Sequence, residues 1–100
     1  TIKFDAVIFG LHGTPGEDGK LQGYFDMIGL PYTSCSASVS ALTFNKRYTV
    51  ALAAMSGISV ARSLHFYKSD TVSVEHIAAT LRFPVFVKPA NGGSSIGMSK

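Results

Sequence analysis

Residues 4–29 read FDAVIFGLHGTPGEDGKLQGYFDMIG, and this stretch decides the fold class. Its first six residues form a nearly continuous apolar run, which is typical of a strand buried on both faces in a parallel sheet. Glycines and prolines then interrupt regular structure across residues 13–19. Leu21, Phe25 and Ile28 follow at helical spacing, so the stretch predicts a strand, a loop and a helix that ends at Gly29.

The rest of the chain continues this alternation of strands and helices. A short extended segment follows Gly29, and a helix capped by Ser36 or Ser38 is predicted to run to about Met55, where Ser56 and Gly57 stop it. Further on, the patterns predict a strand, a short helix, a buried strand, a loop and a return strand at residues 58–67, 74–81, 85–87, 91–95 and 96–99. We therefore predict an α/β chain whose first part is doubly wound and whose second part is a smaller α+β unit.

Composition excludes several classes of function. With 46% hydrophobic and 15% charged residues in 100, the chain can build a core. The net charge of +3 comes from scattered basic residues, which argues against nucleic acid as a partner. No apolar run approaches the roughly 18–20 residues that a membrane span needs. The single cysteine, Cys35, cannot form an internal disulfide, so a reducing cytoplasmic setting fits best.

Both ends of the chain indicate a piece of something longer. The chain has no initiator methionine, and it stops at Lys100 directly after a loop rich in glycine and serine. We therefore expect further sequence on both sides.

The first candidate site is the glycine-rich loop and helix start at residues 12–23. In open α/β sheets, ligands bind beyond the carboxyl ends of the strands, where this loop is expected to lie. Its glycines allow close backbone approach, a helix start offers free N–H donors, and His12 could hold a carboxylate or carry a proton. The plainer alternative is a tight turn in which His12 is only packed and Glu17 complements the helix dipole.

The second candidate site is residues 85–97, VFVKPANGGSSIG. A lysine at the end of a buried strand, as Lys88 is predicted to be, needs an anion or an open cleft. The loop that follows offers flexible N–H groups and two hydroxyls that could cradle phosphate oxygens. It is not a P-loop, and no GxGxxG follows the first strand. The alternative is a glycine-rich hairpin with a surface lysine.

Other polar residues give weaker signals when taken alone. Lys46 is predicted to lie in the middle of a helix, where a solvated side chain is the ordinary case. His65 and His76 have no second ligand at metal-binding spacing, and Cys35 has no histidine or CxxC partner. We therefore predict no metal site within this chain.

Taken together, four blocks of the sequence resemble the D-alanine–D-alanine ligases, which are ATP-grasp enzymes. The blocks are LHGTPGEDGKLQG, GLPYT, SALTFNK and FPVFVKPANGGSSIGMSK, at residues 11–23, 29–33, 40–46 and 83–100. The resemblance implies that residues 1–45 form the C-terminal part of a preATP-grasp, Rossmann-like substrate-binding domain. Residues 46–100 would then form the first part of an α+β ATP-grasp central domain.

The resemblance also implies an activity, namely the ATP-dependent joining of two D-alanine molecules through an acyl phosphate for peptidoglycan synthesis. It implies a cytoplasmic, homodimeric enzyme that uses ATP and Mg²⁺, with the metal ligands outside this chain. The residues that match ATP-contacting positions are Lys46, Lys88, Gly93, Ser95 and Gly97, of which the glycines and Ser95 belong to a flap over the phosphates. The residues that match substrate-handling positions are His12, Glu17 and Ser94.

Departures from the family pattern are few. Asn45 stands where an aspartate is usual, and Ser34-Cys35-Ser36 replaces a segment that customarily holds a glycine. Other substrate, adenine, arginine and magnesium positions of the family fall outside this chain, so we predict that the chain alone is inactive.

Four alternatives to this reading remain open. One is a ligase for D-alanine and D-lactate or D-serine, and another is a different ATP-grasp ligase. The third is a non-catalytic phosphate-binding fragment, and the fourth is a purely structural α/β domain.

Overall fold

A computed structural model describes all residues from 1 to 100 and contains four helices. These are α1 (Lys20–Ile28), α2 (Ala37–Phe44), α3 (Lys46–Met55) and α4 (Val74–Thr80). Extended segments pair only through three single bridges, one parallel between Val7 and Tyr32 and two antiparallel, Asn45 with Asn91 and Val87 with Ser99. The chain is thus an α/β chain in which the strand positions are present but their ladders are short.

The first bridge joins residues 4–9 to the segment after α1. The Val7 N–H donates to the Pro31 carbonyl at 2.8 Å, and the Thr33 N–H donates to the Val7 carbonyl at 3.0 Å. The predicted parallel pairing around α1 is therefore confirmed. The prediction that this strand is buried on both faces was wrong within this chain, because Ile8 is 88% exposed. No other segment of the chain lies over that face.

Helix α1 forms as the sequence predicts and carries an aromatic cluster. It ends at Gly29, whose φ of 67° suits a residue without a Cβ. On its inner face, the Phe25 ring lies 5.7 Å from that of Phe9 and 6.1 Å from that of Tyr32, measured between centroids. This packing holds the helix against the Val7–Tyr32 bridge.

The single helix predicted from Ser36 to about Met55 was wrong, because the chain breaks at Asn45. Ser36 caps α2, as expected, but Asn45 has an extended backbone with φ −90° and ψ 111°. Its side chain accepts a hydrogen bond from the Tyr48 N–H at 3.1 Å and so begins a new helix. Lys46 is consequently the first residue of α3 and does not lie mid-helix. The predicted stop after Met55 is confirmed.

Of the later strand predictions, one was wrong and one pair is present only as a single bridge. The predicted strand at residues 58–67 was wrong, since no strand forms there. The hairpin between residues 85–87 and 96–99 is present as one bridge, in which Val87 and Ser99 exchange hydrogen bonds of 2.8 and 3.0 Å. A strand needs neighbours to pair with, and this chain supplies few. The short helix predicted nearby is confirmed as α4, capped by Ser73.

Burial in this chain is concentrated at one place, beneath the loop that precedes α1. No hydrophobic side chain is buried, and the four buried residues are Gly16, Gly19, Gln22 and Ser40. The radius of gyration is 17.5 Å, whereas a compact domain of this length would have about 13 Å. The apolar surfaces of the chain are thus largely uncovered. None of the four helices has the length and hydropathy needed to cross a bilayer.

Candidate functional site

The start of α3, the segment after residues 85–87 and the glycine–serine loop enclose one cavity of about 140 Å³. Because liquid water occupies about 30 Å³ per molecule, this space suits a group a few waters in size. Both lysines highlighted by the sequence line it, together with Gly92, Gly93, Ser94 and Ser95. Two parts of the chain more than forty residues apart therefore form one site.

Lys46 is attached to the glycine–serine loop through both its backbone and its side chain. Its N–H donates to the Ala90 carbonyl at 2.8 Å, and its Nζ donates to the Gly92 carbonyl at 2.9 Å. The neighbouring Asn45–Asn91 bridge runs alongside. The break between α2 and α3 frees the Lys46 N–H for this pairing, whereas the Asn45 N–H donates to the Leu42 carbonyl. The local fold therefore places the Lys46 ammonium beside the loop.

The cavity carries two positive charges without acidic partners. The one ion pair in the chain joins Lys20 to Asp18, so neither Lys46 nor Lys88 has a carboxylate within 4.0 Å. Lys88 is exposed, and its Nζ lies 5.9 Å from the centroid of the Phe86 ring. Two uncompensated ammonium groups on one cavity favour an anionic ligand.

The loop backbone adds hydrogen-bond donors to these charges. Gly92 has a φ of 137°, and Ser94 and Ser95 have φ values of 52° and 59°, which few residues with a Cβ adopt. The N–H groups of residues 93–95 donate to no acceptor in the protein. A turn whose successive N–H groups are free in this way forms a concave anion-binding nest. The loop is therefore suited to the oxygens of a phosphate group.

The first candidate loop approaches the glycine–serine loop through Glu17, which does not itself line the cavity. The Gly13 N–H donates to Oε2 of Glu17, and the Glu17 N–H donates back to the Gly13 carbonyl at 2.8 Å, which closes a tight turn. A Cβ placed on Gly93 would lie 3.1 Å from the same Oε2 and 3.9 Å from the Gly13 Cα. The two loops that the sequence predicted as separate sites are therefore in contact.

Three predicted site residues, His12, Glu17 and Gly97, lie outside the cavity lining. His12 is exposed and makes no hydrogen bond in the structure, although it precedes Gly13 directly. Gly97 does not line the cavity, but a Cβ there would lie 2.9 Å from Cγ of Pro89, and its φ is 72°. Gly97 therefore lets the loop fold back on the residue that follows Lys88.

Next to Glu17, Asp18 has a shifted pKa. Burial raises the pKa of this carboxyl, but hydrogen bonds from the Thr14 hydroxyl, at 2.8 Å, and from Lys20 outweigh that effect. The pKa of Asp18 therefore lies below its ordinary value of 3.8. The charged form of Asp18 helps to fix the end of the loop at the start of α1.

Sequence reasoning missed the role of the backbone in this site. Asn45, Ala90 and Gly92 hold Lys46 in place, and only Asn45 had a readable signal, since asparagine is a preferred helix cap. No group of three or more histidine, cysteine, aspartate or glutamate side chains gathers anywhere in the chain. His65 instead packs edge-on against the Tyr67 ring, 4.9 Å between centroids.

Comparison with known sequence families gives a direct match. The profile described as the D-ala D-ala ligase N-terminus matches residues 1–35, and that described as the D-ala D-ala ligase C-terminus matches residues 50–100, half of the chain. The chain belongs to the D-alanine–D-alanine ligase family. The resemblance seen in its sequence blocks is thereby confirmed.

Individual family members are similar over almost the whole chain. A D-alanine–D-alanine ligase of Parabacteroides distasonis is 51% identical over 100 residues, and one of Flavobacterium psychrophilum is 48% identical over 98 residues. The chain spans about 30% of the length of each of these relatives.

Solved structures of the family agree with this fold. The VanG D-Ala:D-Ser ligase of Enterococcus faecalis is 40% identical with a TM-score of 0.86, covering 98% of this chain and 29% of that one. The D-alanine–D-alanine ligase of Coxiella burnetii is 32% identical with a TM-score of 0.84, covering 95% and 27%.

Proposed function

We propose that this chain is part of an ATP-dependent ligase that joins two D-alanine molecules into D-alanyl-D-alanine for peptidoglycan synthesis. The observation that carries the proposal is the placement of Lys46 and Lys88, from separate elements, on one cavity with free N–H groups and no acidic partner. Membership of the ligase family supports the reaction, and the chain would supply roughly a third of such an enzyme.

In this proposal the cavity holds the phosphates of ATP. Lys46 and Lys88 neutralise phosphate oxygens, and the N–H groups around Gly93 and Ser95 donate to them. Lys46 releases its bond to the Gly92 carbonyl when phosphate arrives, because a charged acceptor binds an ammonium more strongly than a carbonyl does. Gly97 allows the loop to fold over the phosphates as a flap and exclude water.

The neighbouring loop handles the first D-alanine. His12 and Ser94 position its carboxylate, and Glu17 keeps the turn at residues 13–17 in place. The carboxylate oxygen attacks the terminal phosphorus of ATP, which breaks the bond to ADP and gives an acyl phosphate. The amine of the second D-alanine then attacks the acyl carbon, inorganic phosphate leaves, and the amine gives up a proton. Electrostatic placement of this kind dominates phosphoryl transfer.

Magnesium belongs to the proposed reaction, but this chain offers no set of ligands for it. Its carboxylates do not gather, and the cavity is lined by cations, hydroxyls and N–H groups, which fit phosphate and not a metal ion. Mg²⁺, when bound, would neutralise negative charge on the phosphates, and its ligands are expected from the rest of the enzyme.

The remaining parts of the proposal concern organisation. We place residues 1–45 at the end of a Rossmann-like, preATP-grasp substrate domain and residues 46–100 at the front of an α+β ATP-grasp domain. The full-length enzyme would be a cytoplasmic homodimer, as is usual in the family.

A second candidate is a D-alanine–D-serine ligase. The VanG D-Ala:D-Ser ligase is 40% identical to this chain and has a TM-score of 0.86. The residues that select the second substrate lie largely outside this chain in the family. The proposal nevertheless favours D-alanine, because relatives at 51% and 48% identity carry that name.

Phosphate release by the full-length ligase that carries this chain tests the proposal. We expect turnover of ATP with D-alanine alone and D-alanyl-D-alanine as the product. A mixed product only when D-serine or D-lactate is added would favour the corresponding sister ligase. ATP binding without turnover on any of the three substrates would contradict the enzyme and favour a binding module.

A further inference from the structure

Gln22 is the one fully buried side chain of the chain, with 0% exposure. It lies on α1 beneath the loop that carries His12 and Glu17. Its Nε2 donates to the Gly16 carbonyl at 2.7 Å and to Oγ of Ser34 at 3.0 Å. Neither the cavity nor the proposed chemistry uses this residue.

The orientation of the Gln22 amide is fixed by its surroundings. The Gly16 carbonyl can only accept, so the NH₂ group of the amide must point toward it. This leaves Oε1 buried without a hydrogen-bond partner. A buried acceptor without a donor is unfavourable and offsets part of what the two donated bonds contribute. The two donated bonds nevertheless hold the Gly16 carbonyl and Ser34 in place.

The bond to Gly16 fastens the base of the loop at residues 12–17. A Cβ added at Gly16 would lie 2.5 Å from Cβ of Leu11, so the backbone closes on itself at this point. The next residue is Glu17, which is tied to Gly13 in both directions and touches Gly93. A shift of the Gly16 carbonyl would thus move Glu17 and the residues beside it.

We propose that Gln22 is a positioning residue that sets the affinity for the first D-alanine by holding the Gly16 carbonyl. This role rests on the proposed function and deepens it. It acts through the loop, so it concerns D-alanine more than the nucleotide, whose phosphates are placed in the proposed function by Lys46 and Lys88.

Two substitutions in the full-length ligase test this role. Gln22→Leu keeps the volume but removes the donor. Gln22→Glu keeps the shape, and its ionised carboxylate faces the Gly16 carbonyl without a proton to donate. At mildly basic pH, where the carboxylate of the Glu variant is ionised, we expect both to raise the KM for the first D-alanine at least about tenfold, since small misplacements of a positioning group cost about that much or more. The KM for ATP should rise much less, because Lys46 and Lys88 lie on other elements of the chain.

The Glu variant adds a signature that a merely structural role would not give. A buried carboxyl has a raised pKa and regains a proton as the pH falls, and the protonated form can again donate to Gly16. The ratio of its D-alanine KM to that of the unaltered enzyme should therefore fall from mildly basic to mildly acidic pH. The pH dependence of the D-alanine KM in the Glu variant tests the positioning role even if Gln22→Leu does not fold.

Ser40→Ala is the matched control, because Ser40 is 5% exposed and its Oγ donates to the Cys35 carbonyl outside the loop. It should lower the melting temperature slightly and leave the D-alanine KM unchanged. An unchanged D-alanine KM in both Gln22 variants, or an equal rise in the Ser40 control, would overturn the positioning role alone. Absence of D-alanine-dependent turnover in the unaltered enzyme would instead overturn the proposed function.

Discussion

At the scale of single residues, Gly93 is where the two candidate loops meet. Its φ lies outside the left-handed region, so alanine is allowed there by its backbone, and only space limits the side chain. A Cβ would come within 3.1 Å of Oε2 of Glu17. This oxygen cannot swing away freely, because the Gly13 N–H donates to it. The contact links the loop proposed to handle D-alanine to the loop proposed to hold the phosphates.

Gly93→Ala in the full-length ligase should therefore lower kcat/KM for both substrates by about tenfold, the effect of a few tenths of an ångström of displacement in a preorganised site. Steady-state kinetics would measure this. Gly10→Ala is the control, since a Cβ there meets nothing within 4 Å. Combining Gly93→Ala with Glu17→Asp, whose side chain is shorter, should cost less than the sum of the two. Strict additivity would contradict the contact.

The charged form of Asp18 should make stability depend on pH. The pKa of Asp18 is lower in the folded state than its ordinary value of 3.8, so its contribution is present above that value and is lost as the pH falls through the folded pKa. In the full-length ligase, Asp18→Asn should lower the melting temperature at neutral pH, and the difference from the unaltered ligase should vanish in strong acid. Asp5→Asn, at an exposed position, should show no such difference.

At the scale of elements, the break at Asn45 determines where Lys46 points. The Asn45 side chain caps α3, and its backbone pairs with Asn91, so one residue fixes both the helix start and the approach of the loop. In a continuous helix the Lys46 N–H would bond within the helix and not to Ala90. Capping and phosphate binding are therefore coupled at this junction.

Asn45→Ala should destabilise the ligase by about 1 kcal/mol, the usual cost of losing a cap, and should raise the KM for ATP. Asn45→Asp keeps the accepting oxygen and adds a charge that suits a helix start, so it should behave like the unaltered protein. Thermal melts and ATP titrations would measure both variants. If Asn45→Ala left the ATP affinity unaltered, the proposed coupling between the helix cap and ATP binding would be contradicted.

The elements that the sequence predicted well are those set by local patterns. Gly29 ends α1 and Ser36 begins α2, because caps and glycine stops act over a few residues. The break at Asn45 was missed, since the apolar spacing on either side looks continuous and the pairing with Asn91 is long-range. The prediction of a strand at residues 58–67 was wrong for a similar reason, since a strand forms only when it pairs with another segment.

In the candidate site, too, the features set by local sequence could be predicted and those set by long-range contacts could not. The glycine–serine loop could be read as an anion cradle from its composition alone, and the family resemblance added Lys46. The contact between Glu17 and Gly93 could not be read, because nothing in either segment indicates the other. Backbone carbonyls, such as that of Gly92 holding Lys46, carry no sequence signal at all.

At the scale of the whole molecule, the chain exposes far more surface than a compact domain. Its accessible surface is 7920 Å², against about 5500 Å² expected for a folded protein of this mass. Large apolar side chains such as Ile8, Met27 and Met55 are more than four-fifths exposed. Hydrophobic burial is the main force in folding, so the excess area is stabilisation that this chain does not obtain by itself.

The isolated 100-residue chain should therefore show no cooperative thermal transition, bind a hydrophobic dye and associate with itself. It should also release no phosphate from ATP with D-alanine, since it carries only part of the proposed site. Calorimetry, dye fluorescence and a phosphate assay on the purified chain would measure this. A sharp melting transition together with clear turnover would show that the site is placed wrongly.

The most direct measurement is the ATP affinity of the full-length ligase with Lys46→Gln and Lys88→Gln combined, determined by titration calorimetry. Lys3→Gln with Lys68→Gln removes the same charge at two exposed positions and serves as the control. We expect the Lys46 and Lys88 pair to weaken ATP binding about 100-fold or more, since each lost charge-assisted bond costs about 1.5–3 kcal/mol, and the control to bind as before. Equal ATP affinity in all three proteins would contradict the assignment of this cavity to the phosphates.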